Sequence, residues 1–62
     1  MNIEKLRREA ESLSVGALRE VLTWNETLAE HYDENMDHTG YNAAQTKIEI
    51  ARDELRKRGY RD

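Results

Sequence analysis

The apolar positions of the chain fall into three stretches, each with helical spacing and none with the alternation of a strand. Ile3, Leu6, Ala10 and Leu13 recur at intervals of 3, 4 and 3. A helix repeats about every 3.6 residues, so these side chains form one stripe. The second stretch is denser. At about 100° per residue, Val15, Leu18, Val21, Leu22, Trp24, Leu28, Ala29, Tyr32 and Met36 spread over about half the circumference of a helix. Arg19, Glu20, Thr23, Glu26, Thr27, Glu30 and Glu34 occupy the other half. In the third stretch Tyr41, Ala44, Ile48, Ala51 and Leu55 recur at 3, 4, 3 and 4, a narrow heptad-like seam whose alanines allow close approach of a neighbour.

Polar punctuation sets the boundaries. Asn2 and Ser14 are N-cap residues, able to accept from free backbone N–H groups of a first turn. Asp33 to Gly40 reads as a polar turn, with Gly40 a C-cap of the second helix or a tight bend. Arg56, Lys57 and Arg58 fall in a last helical turn, where cations complement the dipole, and Gly59 is placed for a C′ cap. The spacing therefore predicts helices over about 2–12, 15–35 and 41–58. At 1.5 Å per residue the last two span about 31 and about 27 Å, so they match as an antiparallel pair. The expectation is an all-α fold: a short N-terminal helix followed by a long antiparallel helical hairpin, a three-helix arrangement in a monomer or a dimer. The half-circumference face of the second helix is too wide for one neighbour. It calls for two: the third helix, and then the first helix, a second copy or a target. Asn25 lies inside that face, where a lone polar residue can fix helix register.

Composition narrows the picture. Sixty-two residues, 37% hydrophobic and 37% charged, without cysteine, proline or phenylalanine, make one helical domain spanning 1–62 and exclude a disulfide-stapled module and a Cys-ligated metal site. Ordering such a chain costs about 90 kcal/mol, at roughly 1.5 kcal/mol per residue, and burial in a domain this small only about matches it. Association with a partner or a second copy is the natural remedy. The longest apolar runs are two residues, so neither a signal peptide nor a membrane span is expected, and the chain reads as cytoplasmic.

The net charge of −3 is mild but uneven. Residues 32–46 carry Asp33, Glu34 and Asp37 and no base, whereas Lys47, Arg52, Arg56, Lys57, Arg58 and Arg61 crowd the last sixteen positions against four acids. Phosphate binding needs bases clustered on one face. Arg52, Arg56, Lys57 and Arg58 are the candidate phosphate contacts of a nucleic-acid-binding alternative, although Asp53 and Glu54 dilute them and a solvated helix end suits them better.

Other constellations are weaker. Asp33-x-Asn35-x-Asp37 matches the first three ligand positions of a calcium-binding helix–loop–helix, but His38 stands where the turn needs glycine and Ala44 where a bidentate glutamate should close the site. Loop capping explains these residues better. His31 and His38 have no zinc-type spacing, and a surface location suits both. Catalysis needs a pocket with converging groups, which two or three short helices do not enclose. No enzyme activity, metal or cofactor is expected. Trp24 sits at the edge of the broad face. It either packs against the first helix or anchors an interface, a role in which tryptophan is enriched. Ile50 lies about opposite the seam of its helix, near Ala43. It is an exposed residue, a contact for the first helix, or a contact for another chain. Tyr60 either folds back on the hairpin or stays free.

Leu13-Ser14, Leu18, Leu22, a polar turn, Ile48 and Asp53-Glu54-Leu55-Arg56-Lys57-Arg58 resemble, over residues 13–59, small bacterial helical-hairpin regulators of the sporulation-checkpoint type. That resemblance implies docking of a hairpin face onto a larger enzyme. The longer acidic connection and the additional first helix depart from it, and phage-encoded inhibitors share the same size and composition. The expected function is that of a small protein–protein interaction module, a regulator or inhibitor of bacterial or phage type, acting through Val21, Trp24 and Leu28 with Ile50 as a secondary contact. A purely structural self-associating hairpin is the alternative beside nucleic-acid binding.

Overall fold

The computed structural model describes residues 2–60. It contains α1 (Ile3–Glu11), α2 (Val15–Glu34) and α3 (His38–Lys57), with no strand among the described residues. The all-α order of a short helix and then two long ones is as the spacing predicts. Asn2 and Ser14 both cap as expected: the Asn2 side chain accepts from Lys5 N at 3.1 Å and Ser14 Oγ from Ala17 N at 3.1 Å.

The hairpin turn is tighter than the sequence suggested. Only Asn35, Met36 and Asp37 separate α2 from α3. Two devices shorten it. The Asp37 carboxylate accepts from Gly40 N at 2.9 Å, which starts α3 at His38 rather than at Tyr41. The end of α2 closes as a Schellman motif, with Asp37 N donating to Tyr32 O at 2.8 Å and Met36 N to Asp33 O at 3.1 Å. The left-handed position of that motif belongs to Met36, at φ 56°. Gly40 is neither cap nor bend. It lies in the first turn of α3, where the Tyr32 ring packs so closely that a Cβ at position 40 would fall 2.6 Å from Tyr32 Cδ1. At the other end, Gly59 adopts φ 93° and closes α3 as predicted, with Tyr60 N on Leu55 O and Gly59 N on Arg56 O, both 2.9 Å.

The helices pack around two apolar clusters. Ala29, Ala44 and Ile48 fill the turn-side half of the α2–α3 seam, flanked by Leu22, Leu28, Tyr32 and Tyr41. Leu18, Ala51 and Leu55 fill the other half, where Ala10 of α1 joins them together with Ile50. The heptad-like seam of α3 is thus the buried one. Ile50 is a correction. It is not an outward contact but a core residue, 8% exposed, because α1 lies against its side of α3.

Polar contacts hold α1 in place. Arg58 Nη2 donates to Ala10 O at 3.2 Å and Glu11 O at 3.0 Å, carbonyls of the last turn of α1. Its Nε bonds Glu54 Oε1 at 3.0 Å, which aims the guanidinium. At about 1.5 Å per residue the nine residues of α1 extend about 14 Å, while α2 and α3 run about 30 Å each. The first helix therefore covers one half of the hairpin and leaves the turn-side half without a third layer.

Candidate protein-interaction surface

Helix α2 carries two apolar seams rather than one broad face. Leu18, Leu22, Asn25, Ala29 and Tyr32, spaced 4, 3, 4 and 3, face α3. Leu18, Asn25 and Ala29 are buried, and Leu22 and Tyr32 are half-buried. The second seam, Ala17, Val21, Trp24 and Leu28, is spaced 4, 3 and 4 and lies about a quarter-turn or more around the helix. That spacing is what a packed helix reads in its neighbour. Ala17, Val21 and Leu28 are half-buried, and Trp24 is 63% exposed.

The first of the two sequence readings of Trp24 does not hold: it does not pack beneath α1. The first helix docks chiefly on α3 and makes only slight contact with α2. A cleft of about 310 Å³ remains between α1 and the hairpin, lined by Leu6, Leu18, Val21 and Ile50 with Glu9, Asn25 and Lys47 among its polar residues. Val21 belongs to this cleft. Trp24 lines a shallow, open groove with Arg19, Glu20, Thr23 and Thr27. Asn25 does not bridge helices. Its Nδ2 donates to Val21 O of its own helix at 2.8 Å, which satisfies the amide inside the apolar seam.

The basic run of α3 is largely occupied within the molecule. Arg56 Nη1 lies 3.2 Å from Asp53 Oδ1, and Lys57 Nζ lies 3.4 Å from Glu11 Oε1 and 3.9 Å from Glu54 Oε2. Arg58, with a quarter of its side chain exposed, is committed to Glu54 and the end of α1. Arg52 is half-buried along a groove it shares with Glu26, Glu30 and Asp33. Arg61 lies outside the described residues. Of the four candidate phosphate contacts, three thus face carboxylates at close range and the fourth runs beside acids of α2.

The residues of the calcium-like spacing diverge. Asn35 Nδ2 donates to His31 O at 2.8 Å and Asp37 caps α3, so neither is aimed at a shared centre. Among the described residues no group of three or more His, Asp or Glu is placed to hold a metal ion. His31 and His38 are both exposed, His31 with its ring tilted at 6.0 Å from that of Tyr32. Tyr60 folds back enough for the Arg19 guanidinium to sit 5.7 Å from its ring centre, though 43% of it stays exposed. No described helix is long and apolar enough to cross a membrane.

Sequence reasoning placed Val21, Trp24 and Leu28 on one side of α2 but merged their seam with the buried one. The 4-3-4 spacing was the signal that could have separated them. No protein-family model, characterised protein or solved structure matches the chain.

Proposed function

We propose that this chain is a small protein–protein interaction module, a regulator or inhibitor that docks the second seam of α2 onto a larger protein. One observation carries the reading. Trp24, 63% exposed, stands at a helix-packing position between half-buried Val21 and Leu28. A large aromatic side chain left in water forgoes roughly 1.5–3 kcal/mol of burial, which a partner recovers. Among the described residues no helix covers that position, since α1 is short and leans on α3. Ile50 takes no part, being core.

The test is a photo-crosslinking side chain at position 24, with position 45 on α3 as the comparison, used in cells that make the protein. Crosslinking to a heterologous protein from position 24 and not from position 45 is the expected result. Adducts from position 45 alone would sink the proposal. The alternative occupant is a second copy, and light scattering separates the two: a dimer that dissociates on Trp24→Ala would favour the self-associating reading. A gel shift at ~50 mM salt, where phosphate-driven binding is strong, checks the nucleic-acid alternative, and no shift is expected.

A further inference from the structure

The bend between α1 and α2 departs little from helix. Ser12 has a right-handed helical backbone, φ −86° and ψ −9°. Leu13 N still donates to Ala10 O at 3.1 Å, and Leu18 N already donates to Ser14 O at 2.9 Å. Ser14 has a helical φ of −70° and leaves the helix in ψ, at 162°. The two segments are also in phase. At about 100° per residue, Ile3, Leu6, Ala10, Leu13, Ala17, Val21, Trp24 and Leu28 fall within about 80° of one continuous helix. Straightened, residues 3–34 form a helix about 48 Å long at 1.5 Å per residue. In it, the nine residues of α1 belong to a helix long enough to persist without docking. Ser14 N and Val15 N would then bond Ala10 O and Glu11 O, the carbonyls that Arg58 holds in the bent form.

We propose that Ser14 is a hinge, and that two copies opened there exchange their first helices, each α1 lying on the α3 of the other copy. Opening uncovers Ile50, Ala51 and Leu55, and α1 is the element shown to fit that face. A second copy supplies the same α1 and restores the contacts of Ala10, so the pair needs no new apolar surface. A short connection and an element that leans chiefly on a distant part of the chain are what such exchange requires. Exchange leaves Trp24 uncovered and is independent of the docking role proposed above.

The test is mass in solution after refolding at millimolar concentration, with two hinge variants. The wild-type chain should yield a dimer beside the monomer. Ser14→Ala removes the cap that holds the bend and should raise the dimer-to-monomer ratio roughly fivefold or more. Val15→Pro should abolish the dimer, because proline suits the first position of α2 and breaks a helix running through it. Cysteines identify the contact, since the chain has none of its own. Glu11→Cys and Lys57→Cys are placed on separate copies, at positions whose native side chains lie 3.4 Å apart. The mixture is refolded together, and the dimer is treated with a short bismaleimide. Cross-linking between copies is expected from this pair and not when Glu34→Cys replaces Lys57→Cys. Strictly monomeric protein from both the wild type and Ser14→Ala would overturn the exchange. So would a dimer without that cross-link, a dimer lost on Trp24→Ala, or a Val15→Pro chain that keeps its circular dichroism and still dimerises. The cross-link decides the matter even where Val15→Pro does not fold.

Discussion

At position 36 an exposed methionine holds a left-handed backbone, φ 56°, that costs an L residue roughly 1–2 kcal/mol. Its side chain is 78% exposed, so little packing rewards the strain. Met36→Gly should therefore raise stability by about 0.5–1 kcal/mol, the relief being offset in part by the larger entropy of the unfolded chain. A higher urea midpoint with an unchanged slope is the check. The glycines of the two long helices predict opposite outcomes for one chemical change. At Gly16 the nearest atom to a new Cβ is Ser14 Oγ at 4.0 Å, and Gly16→Ala should add up to ~1 kcal/mol through helix propensity. At Gly40 the new Cβ would meet Tyr32 Cδ1 at 2.6 Å and Cγ at 2.8 Å, atoms near the root of the ring that cannot swing aside. Gly40→Ala should cost about 1–3 kcal/mol by overpacking, despite the same propensity gain. Thermal melts of the two variants compare them directly. These distinctions were illegible in the sequence. A glycine next to a polar turn looks like a turn residue, and only the approach of the Tyr32 ring from across the turn shows that it is a packing residue.

At the scale of elements, α1 is the weakest part. Nine residues fall below the roughly 12–15 needed for a helix to persist alone in water, so α1 exists because it is docked. Ala10 supplies its buried contact, and Arg58 binds the two carbonyls at its end. Arg58→Ala should loosen the docking of α1 by about 1–3 kcal/mol, the range for a hydrogen-bonded charge that is only partly exposed. Amide hydrogen exchange is the measurement. Leu6 to Glu11 should exchange faster, and Ala44 to Ala51 should keep their protection, as expected when one unit opens before the rest. Uniform acceleration would instead make Arg58 a support of the whole fold. The basic end of α3 was visible from the sequence as a dipole complement to its own helix. That its last arginine caps a different helix depends on where α1 lands, which spacing along one element does not reveal.

For the whole molecule the core is thin and shared between two half-length clusters. Ile50 tests this. If it lay in solvent, shortening it would change little. As a residue 8% exposed between α1 and the hairpin, Ile50→Val should cost about 0.5–1.5 kcal/mol. Ile50→Ala should cost several times that and leave the chain close to its unfolding threshold, since domains this small have few kcal/mol to lose. Denaturant titration of the valine variant, which stays folded, is the decisive one. A change under about 0.3 kcal/mol would place Ile50 outside the core. The same thinness explains the second seam. With α1 committed to Ile50 and Leu18, no described element covers Trp24.

Helical class, the number and order of helices, both N-caps, the Gly59 cap and the α3 seam were legible in the sequence because each depends on neighbours within about four residues, where helical periodicity and capping chemistry act. The surplus apolar face of α2 was legible too, as an excess with no assigned owner. Tertiary structure alone decided which half of that face each neighbour takes. It buried Ile50, exposed Trp24, folded the turn to three residues and sent Arg58 to the end of α1. Those outcomes depend on the position of a short helix with several available surfaces. That choice is settled by the packing of side chains more than forty residues apart, which no local pattern encodes.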